Sequence, residues 1–160
     1  ANADAGAFAL AGSLIAAGAR RDRLYQATEG AQHPARLSLM GTALGRLEWL
    51  SDNQIAIMGL SHGDFEAAGS GPEVLAGVVN EPLSVHGCSV SVLCTEVTPG
   101  LVKVSMRSLP DELGRPVVDV AEFAAQFGGG GHRTAAACRI PGNLTTTIAT
   151  IRDALLATIS

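Results

Sequence analysis

The sequence predicts an α/β fold, a mixed β-sheet flanked by helices and preceded by a short helical segment. Three observations carry that reading. Residues 86–94 and 101–108 alternate apolar and polar side chains with the period of two that belongs to strands. Several other stretches repeat their apolar residues at helical spacing. Beyond residue 50 the two kinds of segment interleave, which is the order a layered domain of sheet and helices requires.

Taken in order, Asp4 caps a helix running to Ala17, with Phe8, Leu10, Leu14 and Ile15 as its apolar residues and Gly18 as its stop. A further short helical turn falls at Asp22–Ala27. Pro34 opens a longer helix at its favoured first-turn position, with Leu37, Met40, Leu44 and Leu47 as the apolar stripe and an end near Ser51, Asp52 and Asn53. Residues 1–50 thus form a helical segment with few partners of its own, and residues 51–160 form the α/β domain. Gln54–Leu60 is a short, nearly continuous apolar run that suits a buried strand. Short helices follow at Asp64–Ala68 and Pro72–Asn80.

The hairpin comes next, with Thr98, Pro99 and Gly100 supplying its turn. One face carries His86, Cys88, Val90, Val92 and Cys94, matched by Val102, Val104 and Met106. The other carries Ser89, Ser91, Lys103, Ser105 and Arg107, so it is cationic and rich in hydroxyls. The cysteines read as small core residues and His86 as a histidine at the core edge. Asp119 and Glu122 have the spacing of a capping box, and Val120, Phe123, Ala124 and Phe127 form the stripe behind it. That helix runs into four consecutive glycines, Gly128–Gly131, and then His132. Thr134–Ile140 reads as a strand, and Asn143 caps a final helix with Leu144, Ile148, Ile151, Leu155 and Ile159 on one face.

Composition limits what such a fold does. The chain has 160 residues, 47% hydrophobic and 16% charged, which excludes a disordered polyelectrolyte. Its net charge of −4 speaks against binding polyanions through bulk charge. The sign is uneven, however: residues 1–100 carry 5 Lys/Arg and 10 Asp/Glu, residues 101–160 carry 6 and 5. An anion site therefore belongs late in the chain. Three cysteines without CxxC spacing indicate neither a disulfide framework nor a zinc site. With no apolar run of membrane-span length and no visible signal peptide, the expectation is a cytoplasmic protein without a membrane partner.

The glycine run admits two readings. A flexible linker is one, but the run lacks serine and joins a capped helix directly to a strand. The other is close approach of the backbone to a ligand, its amides forming an anion pocket with His132 and Arg133. Arg107, flanked by Ser105 and Ser108, offers a guanidinium and hydroxyls as the second half of that pocket. No Gly-Lys-Ser/Thr follows the glycines, and the strand-then-glycine order of a dinucleotide fold is reversed. Nucleophile relays and metal-ligand sequences are missing as well, and His62 reads as structural or solvated.

The segments VKVSMRS (Val102–Ser108) and VDVAEFAAQFGGGGHRTAAAC (Val118–Cys138), with VNEPLSVHGCSVSVL before them, resemble the DHH-associated C-terminal domain of DHH-family phosphoesterases. Within that family the nanoRNase/pAp phosphatase branch, relatives of the RecJ exonucleases, is most similar. Ala137 departs from a pattern in which many members carry the sequence AAG. The resemblance implies a division of labour in which an N-terminal lobe, not among these residues, binds manganese with its aspartates and histidines and supplies the catalytic groups. This domain would then contribute substrate-binding residues only: Arg107, Ser105, Ser108, Gly129, Gly130, Gly131 and His132. The implied substrates are short oligoribonucleotides or 3′-phosphoadenosine 5′-phosphate, and the implied partner is the missing lobe. Apolar surface that the first helices would expose without that lobe offers a patch for a homodimer. The 160 residues alone are expected to be inactive. A cyclic dinucleotide phosphodiesterase and a non-catalytic module that binds RNA ends are the alternatives.

Overall fold

A computed structural model describes residues 4–25, 33–111 and 113–159. They fall into two compact units, Ala1–His33 and Pro34–Ser160.

In the first unit, α1 (Ala5–Ala16) starts where Asp4 accepts a 2.9 Å hydrogen bond from the Ala7 amide, and it buries none of its residues. A single short turn, α2 (Arg21–Tyr25), follows. Of the turn read at Asp22–Ala27, the residues beyond Tyr25 lie outside those described.

The second unit begins with α3 (Pro34–Gly45), which ends earlier than the sequence pattern indicates. Residues 48–50 form a short strand, β1 (Glu48–Leu50), and Ser51, Asp52 and Asn53 turn it back through three successive left-handed conformations. Asp and Asn tolerate that region better than most residues, which accounts for a turn where a helix end was expected. The buried face of α3 also differs from the expected stripe. Ala35, Leu39 and Ala43 point inward, whereas Leu37 is 64% exposed. The small alanines let the helix sit close to the sheet.

β2 (Ile55–Leu60) is buried at every position, as its unbroken apolar sequence requires of a strand covered on both faces. The chain then crosses through α4 (His62–Ala68) and two 3-10 turns, Pro72–Leu75 and Val78–Ser84. The single helix read at Pro72–Asn80 is interrupted by Gly77, whose φ is +82°. β3 (Val90–Thr98) runs parallel to β2, and β4 (Leu101–Ser108) returns antiparallel across the turn at Pro99 and Gly100. The strand starts at Val90, so His86 sits exposed in the turn before it and not at the core edge.

After a long loop come α5 (Val120–Ala125), β5 (Gly130–His132), β6 (Ala135–Pro141) and α6 (Leu144–Ile159). The mixed sheet has the order β1-β2-β3-β4-β6-β5. It separates two apolar clusters. One joins Ile57, Val92, Val104 and Met106 to Phe123 of α5 and Ile151 and Leu155 of α6. The other joins Met58, Leu60 and Leu93 to Leu39, Phe65 and Val78. Cys88, Cys94 and Cys138 are all buried, and desolvation pushes the Cys94 thiol up to about 12. No helix among the described residues is long and apolar enough to cross a membrane.

Candidate functional site

Strand register decides which of the sequence-derived residues meet. Arg107 pairs with Ala135, and Ala135 pairs with His132 on its other side. Directly opposed residues in a sheet share a face, so Arg107 and His132 lie on the same face, two strand spacings of roughly 4.8 Å apart. Ser105, Ala137 and Gly130 form the adjacent row, and Lys103 pairs with Arg139 one row further on. This is the polar hairpin face, and it behaves differently along the sheet. Over β2 and β3 the second apolar cluster covers it, so Ser91 is fully buried and its hydroxyl finds no partner among the described residues. Over β4, β6 and β5 it opens: Lys103, Arg139, Gly130 and His132 are exposed, and Ser105, Arg107, Ala135 and Ala137 are half-buried.

Three cavities lie along this open face among the described residues. One, about 270 Å³, has Thr95, Lys103, Ser105 and Arg107 as its floor and Glu73 and Gly77 of the 3-10 turns on its wall. A second, about 290 Å³, is lined by Pro72, Val97, Thr98, Leu101, Lys103 and Arg139. The smallest, about 150 Å³, is lined by Lys103, Gly128, Gly129, Ala137, Cys138 and Arg139. The glycine loop and Arg107 therefore do not share one pocket, and Lys103 lines all three.

The glycines are held more tightly than a run of free amides would be. Gly128 and Gly129 donate to the carbonyls of Ala125 and Ala124 at 3.1 and 2.9 Å, closing the end of α5. Gly130, Gly131 and His132 form β5, an edge strand whose alternate amides face away from β6. A Cβ on Gly129 would overlap the Ala137 carbonyl and Cys138, and one on Gly131, where φ is +149°, would overlap Ala135 and Ala136. Close passage of β5 over β6 thus demands glycine at both positions.

Two more expected residues, Ser108 and Arg133, do other work, and His62 stands in a structural place as read. Ser108 is buried, and its Oγ accepts a 3.3 Å hydrogen bond from the Val118 amide. Arg133 donates through Nε to Asp119 at 2.7 Å, and its carbonyl accepts from Val120, so it ties β5 to the start of α5 and does not serve the anion pocket. The Arg133 guanidinium in turn holds the Asp119 carboxyl below its usual range. His62 Nδ1 lies 2.9 Å from the Val97 carbonyl, a structural placement.

Charge pairing singles out the same face. In the unit Pro34–Ser160, Arg36, Arg46, Arg115, Arg133 and Arg152 each pair with a carboxylate. Lys103, Arg107 and Arg139 have no such pair among the described residues, and all three lie on the open face; Arg107 donates only to the neighbouring Met106 carbonyl, at 2.9 Å. Sequence reading gave Arg107 a role, put Lys103 on the same cationic face without one, and passed over Arg139. The signal for Arg139 is the β4/β6 register, which no local pattern contains. Among the described residues no group of three or more His, Cys, Asp or Glu side chains is placed to hold a metal ion.

Comparison with known proteins agrees with this architecture. An exopolyphosphatase-related protein from Bacteroides fragilis superposes with a TM-score of 0.84 at 24% identity, over 96% of this chain and 44% of that one. A pGpG-specific phosphodiesterase from Vibrio cholerae gives a TM-score of 0.55 at 15% identity, over 96% of this chain and 50% of that one. Both likenesses are of fold, and the chain spans about half the length of each. Among curated protein sequences none matches. The DHHA1 domain family matches residues 52–159, a stretch that holds the glycine–histidine strand, the three cavities and every strand except β1. The chain belongs to the DHHA1 domain family.

Proposed function

We propose that the open face of β4, β6 and β5 is the substrate-gripping half of a DHH-family phosphoesterase that hydrolyses short oligoribonucleotides or 3′-phosphoadenosine 5′-phosphate. The observation that carries this reading is the gathering of three cations without carboxylate partners on one uncovered sheet face, beside His132 and the Ser105 hydroxyl. Unpaired guanidinium and ammonium groups next to hydroxyl donors form the chemistry that holds phosphate oxygens. In this reading Arg107, Ser105 and His132 contact phosphate, and the outward amides of β5 add donors. Gly129, Gly131 and Ser108 fix the backbone on which those groups stand.

Catalysis is assigned to a second lobe outside these residues. The manganese that the family resemblance implies would be held by that lobe. What this domain supplies is position, since holding an ester at a fixed place before a nucleophile lowers the barrier in its own right. Cytoplasmic location is part of the same proposal.

Binding of 3′-phosphoadenosine 5′-phosphate to the 160-residue chain, followed by calorimetry, tests it. Half a cleft supplies half the contacts, so wild-type affinity is expected near the millimolar range. Arg107→Ala or His132→Ala should weaken it by roughly ten- to a hundredfold, the worth of a charge-assisted hydrogen bond, with the melting temperature unchanged. Unaltered affinity in folded variants would contradict the assignment. A cyclic dinucleotide, offered to the full-length protein beside a diribonucleotide, separates the alternative substrate class.

A further inference from the structure

A single row of paired residues crosses the whole sheet from β1 to β5: Trp49, Ala56, Ser91, Arg107, Ala135 and His132. Opposed residues share a face, so Ser91 stands in line with the open site, between Ala56 and Arg107. Its side chain is fully buried, and its hydroxyl has no hydrogen-bond partner among the described residues. A buried hydroxyl left without a partner costs its full desolvation, and native structures keep few of them. Alanine would fill the same place without that cost.

Arg107 is the complement of this hydroxyl. Its guanidinium is a fork of N–H donors, yet its one side-chain hydrogen bond among the described residues runs from Nη1 to the Met106 carbonyl, at 2.9 Å. Of the two residues that flank Ser91 in the row, Ala56 has no polar side-chain atom, which leaves Arg107. Opposed Cβ atoms lie roughly 4.5–5.5 Å apart, a separation that the first part of an arginine side chain spans.

The cavity beside Arg107 brings the two together. Val79 and Leu93 line it, and both belong to the apolar cluster that covers the strand carrying Ser91. While Nη1 is engaged by a backbone carbonyl, it does not join Nη2 in the paired hydrogen bonds that arginine makes to phosphate. Turning to an anion in the cavity means releasing that carbonyl, and the long side chain is then held only if Nε finds an acceptor. We propose that Ser91 is a positioning residue: its Oγ accepts from Arg107 Nε when Arg107 turns from the Met106 carbonyl to a bound phosphate, so that both Nη groups face the anion. The orphaned hydroxyl costs the free domain some stability and gives the loaded domain a pre-set arginine. The inference rests on the reading of Arg107 as a phosphate contact.

Titration of the isotopically labelled 160-residue chain with 3′-phosphoadenosine 5′-phosphate, read at the Arg107 Nε–H signal and accompanied by melting temperatures, tests it. Ligand should shift that signal in the wild-type chain and slow its exchange with water. Ser91→Ala should abolish the slowed exchange, weaken binding roughly three- to tenfold, the worth of one hydrogen bond, and melt at or above the wild-type temperature. Arg107→Lys keeps the charge but has no Nε, so adding Ser91→Ala to it should change affinity by less than about 1.5-fold. Equal losses in the two backgrounds would overturn the proposal, because the hydroxyl would then act without Arg107. A Ser91→Ala melting temperature below wild type would overturn it too, because the hydroxyl would then already have a partner in the free domain. If Arg107→Ala weakens binding while Ser91→Ala leaves affinity and the Nε–H signal unchanged, the positioning role is wrong and the phosphate contact stands. If Arg107→Ala binds as tightly as wild type, or the wild-type chain binds nothing, the cleft reading falls and the positioning role with it.

Discussion

Asp64 shows how a single carboxylate organises its neighbourhood. It accepts hydrogen bonds from Arg46 Nη1 and Nη2 at 2.6 and 2.9 Å, and from the amide and hydroxyl of Ser61 at 2.7 and 2.8 Å. The Arg46 guanidinium first, then Ser61, hold its pKa at about 2, down from 3.8. A depressed folded-state pKa contributes stability that is complete above the unfolded value and lost as pH falls through the folded one. Stability should therefore drop by about 1 kcal/mol, after allowance for screening at a partly exposed pair, as pH falls from about 4 to about 2. Thermal melts of Asp64→Asn should lack that part of the pH dependence, and parallel profiles for the two proteins would count against the pairing. The glycines make a second residue-scale case. Gly129→Ala should cost about 1–3 kcal/mol, because its Cβ would overlap the Ala137 carbonyl. Gly130→Ala meets open space and should stay within about 0.5 kcal/mol. Chemical denaturation distinguishes them, and equal losses would show that the run acts through chain flexibility alone. The sequence announces four glycines together but not which of them are sterically required, since that depends on where β5 passes over β6.

Elements with strong local signals match their sequence reading closely. α5 is capped by Asp119, which accepts from Ala121 and Glu122, and α6 buries Ile151 and Leu155 as its periodicity indicates. The hairpin turn and the buried β2 follow from residue types at the right spacing. α3 shows where that logic stops. Its leucines and alanines allow more than one stripe at helical spacing, and packing against β2 chooses Ala35, Leu39 and Ala43 over the bulkier series through Leu37 and Leu44. Leu39→Ala should cost about 2–5 kcal/mol, whereas Leu37→Ala should change stability by less than about 0.5 kcal/mol. Denaturation midpoints check this, and a larger loss at Leu37 would mean that the helix is rotated. β1 escaped the pattern because three residues are too few to show a period, and because the left-handed turn behind it is built from residues that also end helices.

At the scale of the whole molecule, the site is a consequence of uneven layering. α6 and α5 cover one face of the sheet, while α3, α4 and the 3-10 turns cover only part of the other, leaving Lys103, Ser105, Arg107, Arg139 and His132 around uncovered strands. Arg107, Ser105 and His132 were legible because each sits in a distinctive local sequence. Lys103 was legible as part of the cationic hairpin face, but Arg139 was not, since only non-local pairing of β4 with β6 sets it beside Lys103. The Arg107 end and the glycine loop, read from the sequence as one pocket, line separate cavities. The most direct test of the central claim is a titration of the isotopically labelled 160-residue chain with 3′-phosphoadenosine 5′-phosphate, followed by amide chemical shifts. Perturbations should cluster at residues 103–107, 128–132 and 135–139, with α6 unmoved. Shifts centred on α6 or on the hairpin tip, or none at ligand concentrations well into the millimolar range, would contradict a phosphate-binding sheet face.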